Sequence, residues 1–225
     1  MNNEIEGIVL SSIDYKESSK IVYLYTTLGL ISVKALQAKK IKSGELSFIT
    51  TGNIVSFVMT DNSLPSLVEY HLIASVFVLT DNIKKLTALS TILDILRHLP
   101  NDSIHERIFK LAKNSILELK NNNEKKVLCI FLIKMLYAFG VNPELKKCIK
   151  CSNTNLIDFV PKLGGALCNR CSSNYNKLLQ NWREYYYQKK NINEYSDCDF
   201  DLLLNEISSY YSYHLSIYLK LSMLK

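Results

Sequence analysis

Two cysteine pairs, Cys148-x2-Cys151 and Cys168-x2-Cys171, are separated by sixteen intervening residues and are the strongest chemical signal in this 225-residue chain. The spacing is that of a four-cysteine zinc site. Each pair can close a tight turn that points two thiolates at one ion. Two such turns complete a tetrahedron with no open position, which marks a structural zinc rather than a catalytic one. Gly164-Gly165, just ahead of the second pair, lets the backbone double back in a short ribbon. Metal binding of this kind contributes on the order of 10 kcal/mol to ordering a small module. The competing readings are two disulfides, four ordinary thiols, or a redox Cys-x-x-Cys, which normally occurs once and beside a βαβ unit. In a reducing compartment zinc is the better reading. Cys129, inside an apolar run, and Cys198, in an acidic loop, read as structural or incidental, and His71, His98, His105 and His214 show no ligand spacing.

Positive charge gathers around the same segment. The whole chain carries 27 Lys+Arg against 21 Asp+Glu, a net +6 that is compatible with a polyanion partner without requiring one. Between Lys134 and Lys190, however, ten bases face three acids, a local +7. A zinc ion with four thiolates subtracts about two charges and leaves the sign positive. Lys146, Lys147, Lys150 and Arg170 lie within the cysteine module itself. A second cluster, Lys34, Lys39, Lys40 and Lys42, falls in a stretch with no acid from Thr27 through Gly44. These two groups are the candidate contacts for a polyanion such as nucleic acid, the plainer alternative being a solvated surface. Tyr15, Tyr23, Tyr25 and Phe57, on neighbouring strands, are candidates for stacking on bases, although strand tyrosines commonly just pack.

No bond-breaking motif is present. The chain lacks a Gly-x4-Gly-Lys-[Ser/Thr] loop, a His-Glu-x-x-His pair and a nucleophile elbow, and its carboxylates are scattered. The expectation is a binding protein and not an enzyme. The polar, acidic start Met1-Asn2-Asn3-Glu4-Ile5-Glu6 is unlike a signal peptide. The longest apolar stretch, Val127 to Val141, is interrupted by Lys134 and too short to cross a bilayer. A cytoplasmic protein without a membrane partner is expected, and 48% apolar with 21% charged residues is ordinary globular composition.

The elements that must carry these residues change type near residue 80. Before it, Ile5–Ile13, Ile21–Thr27, Leu30–Leu36, Asn53–Met59 and Leu67–Leu72 read as five short strands, separated by turn signals at Gly29, Asp61-Asn62-Ser63 and Pro65. Five strands in so short a length suggest a small closed barrel, and pattern alone leaves an SH3-like barrel in competition with other types. After Thr80-Asp81 the period becomes helical, with Leu86, Leu89, Leu93 and Leu96 ending at Pro100. Ser103 opens a second helix, Glu124–Phe139 is apolar nearly all round, and Ser173–Lys189 and Phe200–Leu224 read as the last two. The reading is therefore α+β: a barrel domain over 1–79, then a helical domain over 80–225 interrupted at about 146–173 by the four-cysteine zinc module.

Together these pieces resemble the RecO family of bacterial DNA repair proteins. Gly7-Ile8-Val9-Leu10 with Asp14-Tyr15-Lys16-Glu17-Ser18 is similar to that family's opening strand and turn, and Ile21–Thr27 with Gly29 to its second strand. Gly140-Val141-Asn142-Pro143-Glu144-Leu145 before Cys148, Gly164-Gly165-Ala166-Leu167-Cys168, and the tail His214-Leu215 with Leu219-Lys220-Leu221-Ser222 extend the likeness over nearly the whole chain. The resemblance implies that the barrel is an oligonucleotide-binding (OB) fold. It implies a nucleoid-associated recombination mediator that binds single- and double-stranded DNA and anneals complementary strands without ATP. It further implies loading of RecA together with RecR on DNA coated by single-strand-binding protein, whose acidic C-terminal tail would be a partner. The loop Ala38-Lys39-Lys40-Ile41-Lys42 keeps the family's charge but has no arginine to grip phosphate bidentately. The alternatives are a zinc-ribbon transcription-type regulator that reads duplex DNA and, more remotely, a nucleic-acid enzyme with a degenerate site.

Overall fold

The structure, a computed structural model, describes residues 4–36, 38, 46–100 and 103–224. It divides between Lys120 and Asn121 into two compact units.

The first unit opens with the strands β1 (Ile5–Tyr15), β2 (Ser19–Thr26) and β3 (Gly29–Ala35), a short helix α1 (Leu46–Ile49), and β4 (Ile54–Met59) and β5 (Leu67–Ala74). They hydrogen-bond in the order β3-β2-β1-β4-β5, with every neighbouring pair antiparallel. The two ends of this sheet meet: Lys34 bridges Ser66 in parallel, and the Lys34 amide donates to the Pro65 carbonyl at 2.8 Å. A parallel β3–β5 contact with a helix between β3 and β4 gives the oligonucleotide-binding barrel and resolves the competition with the SH3-like type. The alternation read from the sequence sets the inside: Val22, Leu24, Val33 and Ala35 are fully buried while Tyr23 points out, 39% exposed. Phe48 of α1 plugs the core edge-on to Phe57, ring centroids 5.6 Å apart. Gly7 leaves room for that packing, since a Cβ there would stand 3.0 Å from Leu24.

Helices α2 (Ile83–Arg97) and α3 (His105–Glu118) belong to the same compact unit. The Asn82 side chain, accepting from the Lys85 amide, caps α2, so the helix starts just after Thr80-Asp81. Tyr25 Oη meets His105 Nδ1 at 3.0 Å, and Lys113 pairs with Glu6 at 2.7 Å, tying α3 to the barrel strands. Compactness thus divides the chain at a different place from the change of element type near residue 80.

In the second unit α4 (Glu124–Ala138) is buried on nearly every side, as its all-round apolar sequence requires. It is joined by the ribbon β6 (Leu156–Val160) and β7 (Gly165–Cys168) and by α5 (Leu179–Tyr187) and α6 (Phe200–Leu215). Two helices are shorter than their sequence suggested. The α5 start moves from Ser173 to Leu179 because the Asn176 side chain accepts from the Leu178 amide and donates to Phe159 O, bonds that compete with helix. The α6 end moves from Leu224 to Leu215: Ser216 turns left-handed (φ 56°), and beyond it Ile217, Leu219 and Leu221 alternate with exposed residues, a period of two instead of 3.6. No helix among the described residues is long and apolar enough to cross a membrane.

Candidate metal centre and nucleic-acid interface

The four paired cysteines converge. The Sγ atoms of Cys148, Cys151, Cys168 and Cys171 all lie within 4.8 Å of one another. Two of the separations, Cys151 to Cys168 and Cys151 to Cys171, are 3.4 and 3.5 Å. A tetrahedral zinc with sulfur at ~2.3 Å requires sulfur–sulfur edges of ~3.8 Å, whereas a disulfide requires about 2.05 Å. The cluster therefore has the dimensions of a metal cage and not of two disulfides, and the donor set fits a soft, tetrahedral ion.

Each pair sits in a turn that presents its sulfurs. In the first, the Ser152 amide donates to Cys148 O at 2.8 Å, and Ser152 takes a left-handed φ of 60° to close the loop. In the second, the amides of Cys171 and Ser172 both donate to Cys168 O, at 2.9 and 3.0 Å. Main-chain amides also point at the sulfurs. Burial pushes the Cys148 thiol up, but amide hydrogen bonds from Cys168, Lys150 and Cys151 outweigh it and bring it down to about 6. At Cys168 burial is likewise outweighed, first by the Arg170 amide, and that thiol too is lowered. At these two sulfurs the donors favour the thiolate, the form that binds metal, whereas the hydrogen bond with Cys151, and after it burial, push the Cys171 thiol up to about 12.

The ribbon explains why two glycines stand together. Gly164 adopts φ 73° at the turn between β6 and β7, a conformation that favours glycine. Gly165 is needed for a different reason: a Cβ there would lie 2.4 Å from Ile149 Cγ2, inside the first cysteine turn. That turn is laced to β7 by Ile149 N to Ala166 O at 3.1 Å and by Ala166 N to Glu144 O at 2.8 Å. Behind the ribbon, Phe159 packs on Trp182 with ring centroids 4.5 Å apart. Glu206 accepts from Trp182 Nε1 and Asn176 Nδ2, both at 2.7 Å. Arg183 Nε donates to Leu145 O at 2.9 Å, and His214 Nε2 lies 2.8 Å from Pro161 O, so both α5 and α6 brace the module.

The basic residues read from the sequence have different fates. Lys146, Lys147, Lys150 and Arg170 are all exposed around the cysteine turns. Lys34 is half-buried at the closing edge of the barrel. Lys39, Lys40 and Lys42 lie outside the described residues. Two of the stacking candidates fail: Tyr25 and Phe57 are fully buried and serve the core. Tyr23 remains available, beside an open groove lined by Leu10, Leu30, Ile31 and Arg97. Sequence reasoning missed Arg97, whose guanidinium donates to Leu10 O, the edge-to-face pair Tyr186 and Tyr187 in the second unit, and Tyr137, 60% exposed at the end of α4. The adjacency of Tyr186 and Tyr187 was visible in the sequence, but nothing there joins the end of α4 to the end of α5, as the bond from Lys134 Nζ to Gln188 O does.

Family comparison agrees with the architecture. The model described as "Recombination protein O N terminal" matches residues 1–76, and that described as "Recombination protein O C terminal" matches residues 80–222. Among curated proteins, the chain is 30% identical over 177 residues to the "DNA repair protein RecO" of Halalkalibacterium halodurans, covering 76% of this chain and 69% of that one. It is 31% identical over 173 residues to the protein of that name from Caldicellulosiruptor saccharolyticus, covering 74% and 70%. Against the Listeria welshimeri protein it is 27% identical over 236 residues, with 96% and 90% covered. Matched in both its barrel and its helical part, the chain belongs to the RecO family.

Proposed function

We propose that this protein acts in DNA repair and homologous recombination by binding single- and double-stranded DNA and annealing complementary strands without ATP. The observation that carries the reading is the family match over both parts of the chain, on a barrel type that commonly holds oligonucleotides. The exposed bases around the cysteine cluster support it physically. Lys146, Lys147, Lys150 and Arg170 neutralise phosphates, and Lys34 with Lys39, Lys40 and Lys42 do so from the barrel domain, 1–79. Holding two strands at once lowers their mutual repulsion and raises their local concentration until base pairing takes over. The four-cysteine cluster holds one structural Zn2+, which keeps residues 146–173 of the helical domain, 80–225, in shape and takes no part in a reaction. The protein is a mediator and not an enzyme, and it works in the cytoplasm at the nucleoid. With RecR it helps load RecA onto DNA coated by single-strand-binding protein. An apolar groove lined by Ile73, Val78, Ile116 and Leu117 and rimmed by Lys120 is a fitting place for that protein's acidic tail.

The test is an ATP-free annealing assay on complementary strands coated with single-strand-binding protein. Acceleration by the wild type is expected. Replacing Lys146, Lys147, Lys150 and Arg170 with Ala should slow it and flatten the salt dependence of single-strand binding by roughly 0.7 for each phosphate no longer neutralised. A chain with no affinity for any polynucleotide at low ionic strength sinks the reading. Sequence preference in a duplex footprint would favour the transcription-type alternative.

A further inference from the structure

Three tyrosines that play no part in the metal cage stand at the ends of two helices in the second unit. Tyr137 stands in the last turn of α4, and Tyr186 and Tyr187 in the last turn of α5. Tyr137 is 60% exposed and Tyr187 44%. The rings of Tyr186 and Tyr187 are edge-to-face, centroids 5.0 Å apart. Lys134 Nζ, one turn before Tyr137, donates to the carbonyl of Gln188, next to Tyr187, at 2.7 Å, and so sets the two helix ends side by side. A single exposed tyrosine needs no explanation; a group of them set among cations does.

The cations come from the approach to the first cysteine turn. Lys146 Nζ lies 5.0 Å from the centre of the Tyr187 ring, and Lys147 beside it is exposed. Arg183, one turn back on α5, anchors the main chain of that approach through Leu145 O. The nearest carboxylates are already engaged. Glu144 Oε1 accepts from the amides of Lys146 and Lys147 at 2.9 and 3.3 Å, and Glu184 pairs with Lys190 at 2.8 Å.

We infer that Tyr137 and Tyr187, flanked by Lys146 and Lys147, form a base-stacking site for single-stranded DNA on the second unit; this rests on the DNA-binding function proposed above. An unpaired base offers a free π face to a phenol ring, and its phosphates reach the lysines. A base inside a duplex has both faces covered by its neighbours and cannot use the rings. The lysine over Tyr187 is an exposed, weak contact that a base can flank or replace. The consequence for annealing is directional: the site holds a strand while it is unpaired and gives up its stacking contacts when the strand finds its complement. Product then leaves without nucleotide hydrolysis.

The experiment uses the full chain with zinc, a labelled oligo(dT) and a labelled duplex of equal length, read by fluorescence anisotropy over a range of salt. Tyr137→Leu with Tyr187→Leu should weaken oligo(dT) binding by about five-fold or more, the lower bound for one stacked base. Duplex affinity and the salt slope should stay as in the wild type. Tyr137→Phe with Tyr187→Phe should retain oligo(dT) affinity, because the ring and not the hydroxyl carries the contact. Lys146→Ala with Lys147→Ala should instead weaken both probes and reduce the single-strand salt slope by roughly 1.4. Equal losses on oligo(dT) and duplex from the leucine pair, or no loss at all, overturn the stacking site while leaving the DNA-binding function standing. A wild type that binds neither probe overturns both.

Discussion

Replacing Gly165 by Ala tests whether the cysteine cluster depends on the close approach seen between its two halves. The new Cβ would stand 2.4 Å from Ile149 Cγ2 and 3.1 Å from both the Cβ and the main-chain oxygen of Glu144. Ile149 lies between Cys148 and Cys151, so the collision is delivered to the first pair of ligands. Its Cγ2 branches at Cβ and cannot move aside without turning the whole side chain out of its rotamer. Inserting one methyl into packed structure costs about 1–3 kcal/mol. Because the cage is built on this contact, the cost falls on the metal-loaded form, and the zinc dissociation constant should rise about 5- to 150-fold. The melting temperature of the second unit should fall by roughly 4–8 °C for each kcal/mol of stability removed. Competition against a chromophoric zinc chelator measures the first quantity, and thermal unfolding followed by Trp182, the only tryptophan, the second. Adding Ile149→Ala removes the closest contact but not those with Glu144, so it should recover the larger part of both losses. The reasoning is refuted if Gly165→Ala binds zinc and melts as the wild type does, or if Ile149→Ala recovers nothing.

Stripping zinc with a strong chelator should loosen the ribbon and the Phe159–Trp182 contact at 4.5 Å, shifting tryptophan emission to the red; restored zinc, but not magnesium, should reverse it, and an unmoved spectrum would contradict a structural ion. Burial raises the Glu206 carboxyl despite its bonds from Trp182 and Asn176, so the folded state holds its proton more tightly than the unfolded state does. Stability from this group is therefore present below the ordinary carboxylate range and is lost as pH rises through the raised value. Denaturant melts across that window should show the decline in the wild type and a flatter profile in Glu206→Gln, and identical profiles would remove Glu206 as the cause. Tyr25→Phe deletes the 3.0 Å contact with His105 and should destabilise the first unit by about 1 kcal/mol. Its single-strand affinity should be unchanged, because Tyr25 is fully buried; a drop in affinity at constant stability would return it to the stacking candidates.

The chemistry of the metal site is legible in the chain itself because it is written in short-range spacing. Two residues between paired cysteines suffice to make a turn, and that geometry is local to each pair. The strands are legible for the same reason: the alternation of Val22, Tyr23 and Leu24 assigns faces to the sheet without knowledge of its partners. The α6 terminus shows the limit of such reading, since residues 217–221 keep the apolar content of a helix but change its period. Counting hydrophobic residues is weaker evidence than phasing them.

Contacts between distant segments were decided only by the tertiary fold. Sequence pattern proposed a barrel, but the parallel meeting of Lys34 with Ser66 chose its topology, because closure joins strands that no local rule pairs. Tyr25 and Phe57 carry the same residue preferences as an exposed base-binding ring, and only the direction of the strand face turned them inward. Gly165 read as a flexible turn residue until Ile149, sixteen positions earlier, arrived where its side chain would have been. Tyr137 and Tyr187 likewise lie fifty residues apart, and only the packing of α4 and α5, with Lys134 Nζ donating to Gln188 O, sets the ends that carry them side by side. Residue type and spacing therefore determined which elements form and that the cysteines could cage an ion. Which side chains share a surface followed from burial of the apolar faces, a collective requirement that no segment satisfies alone.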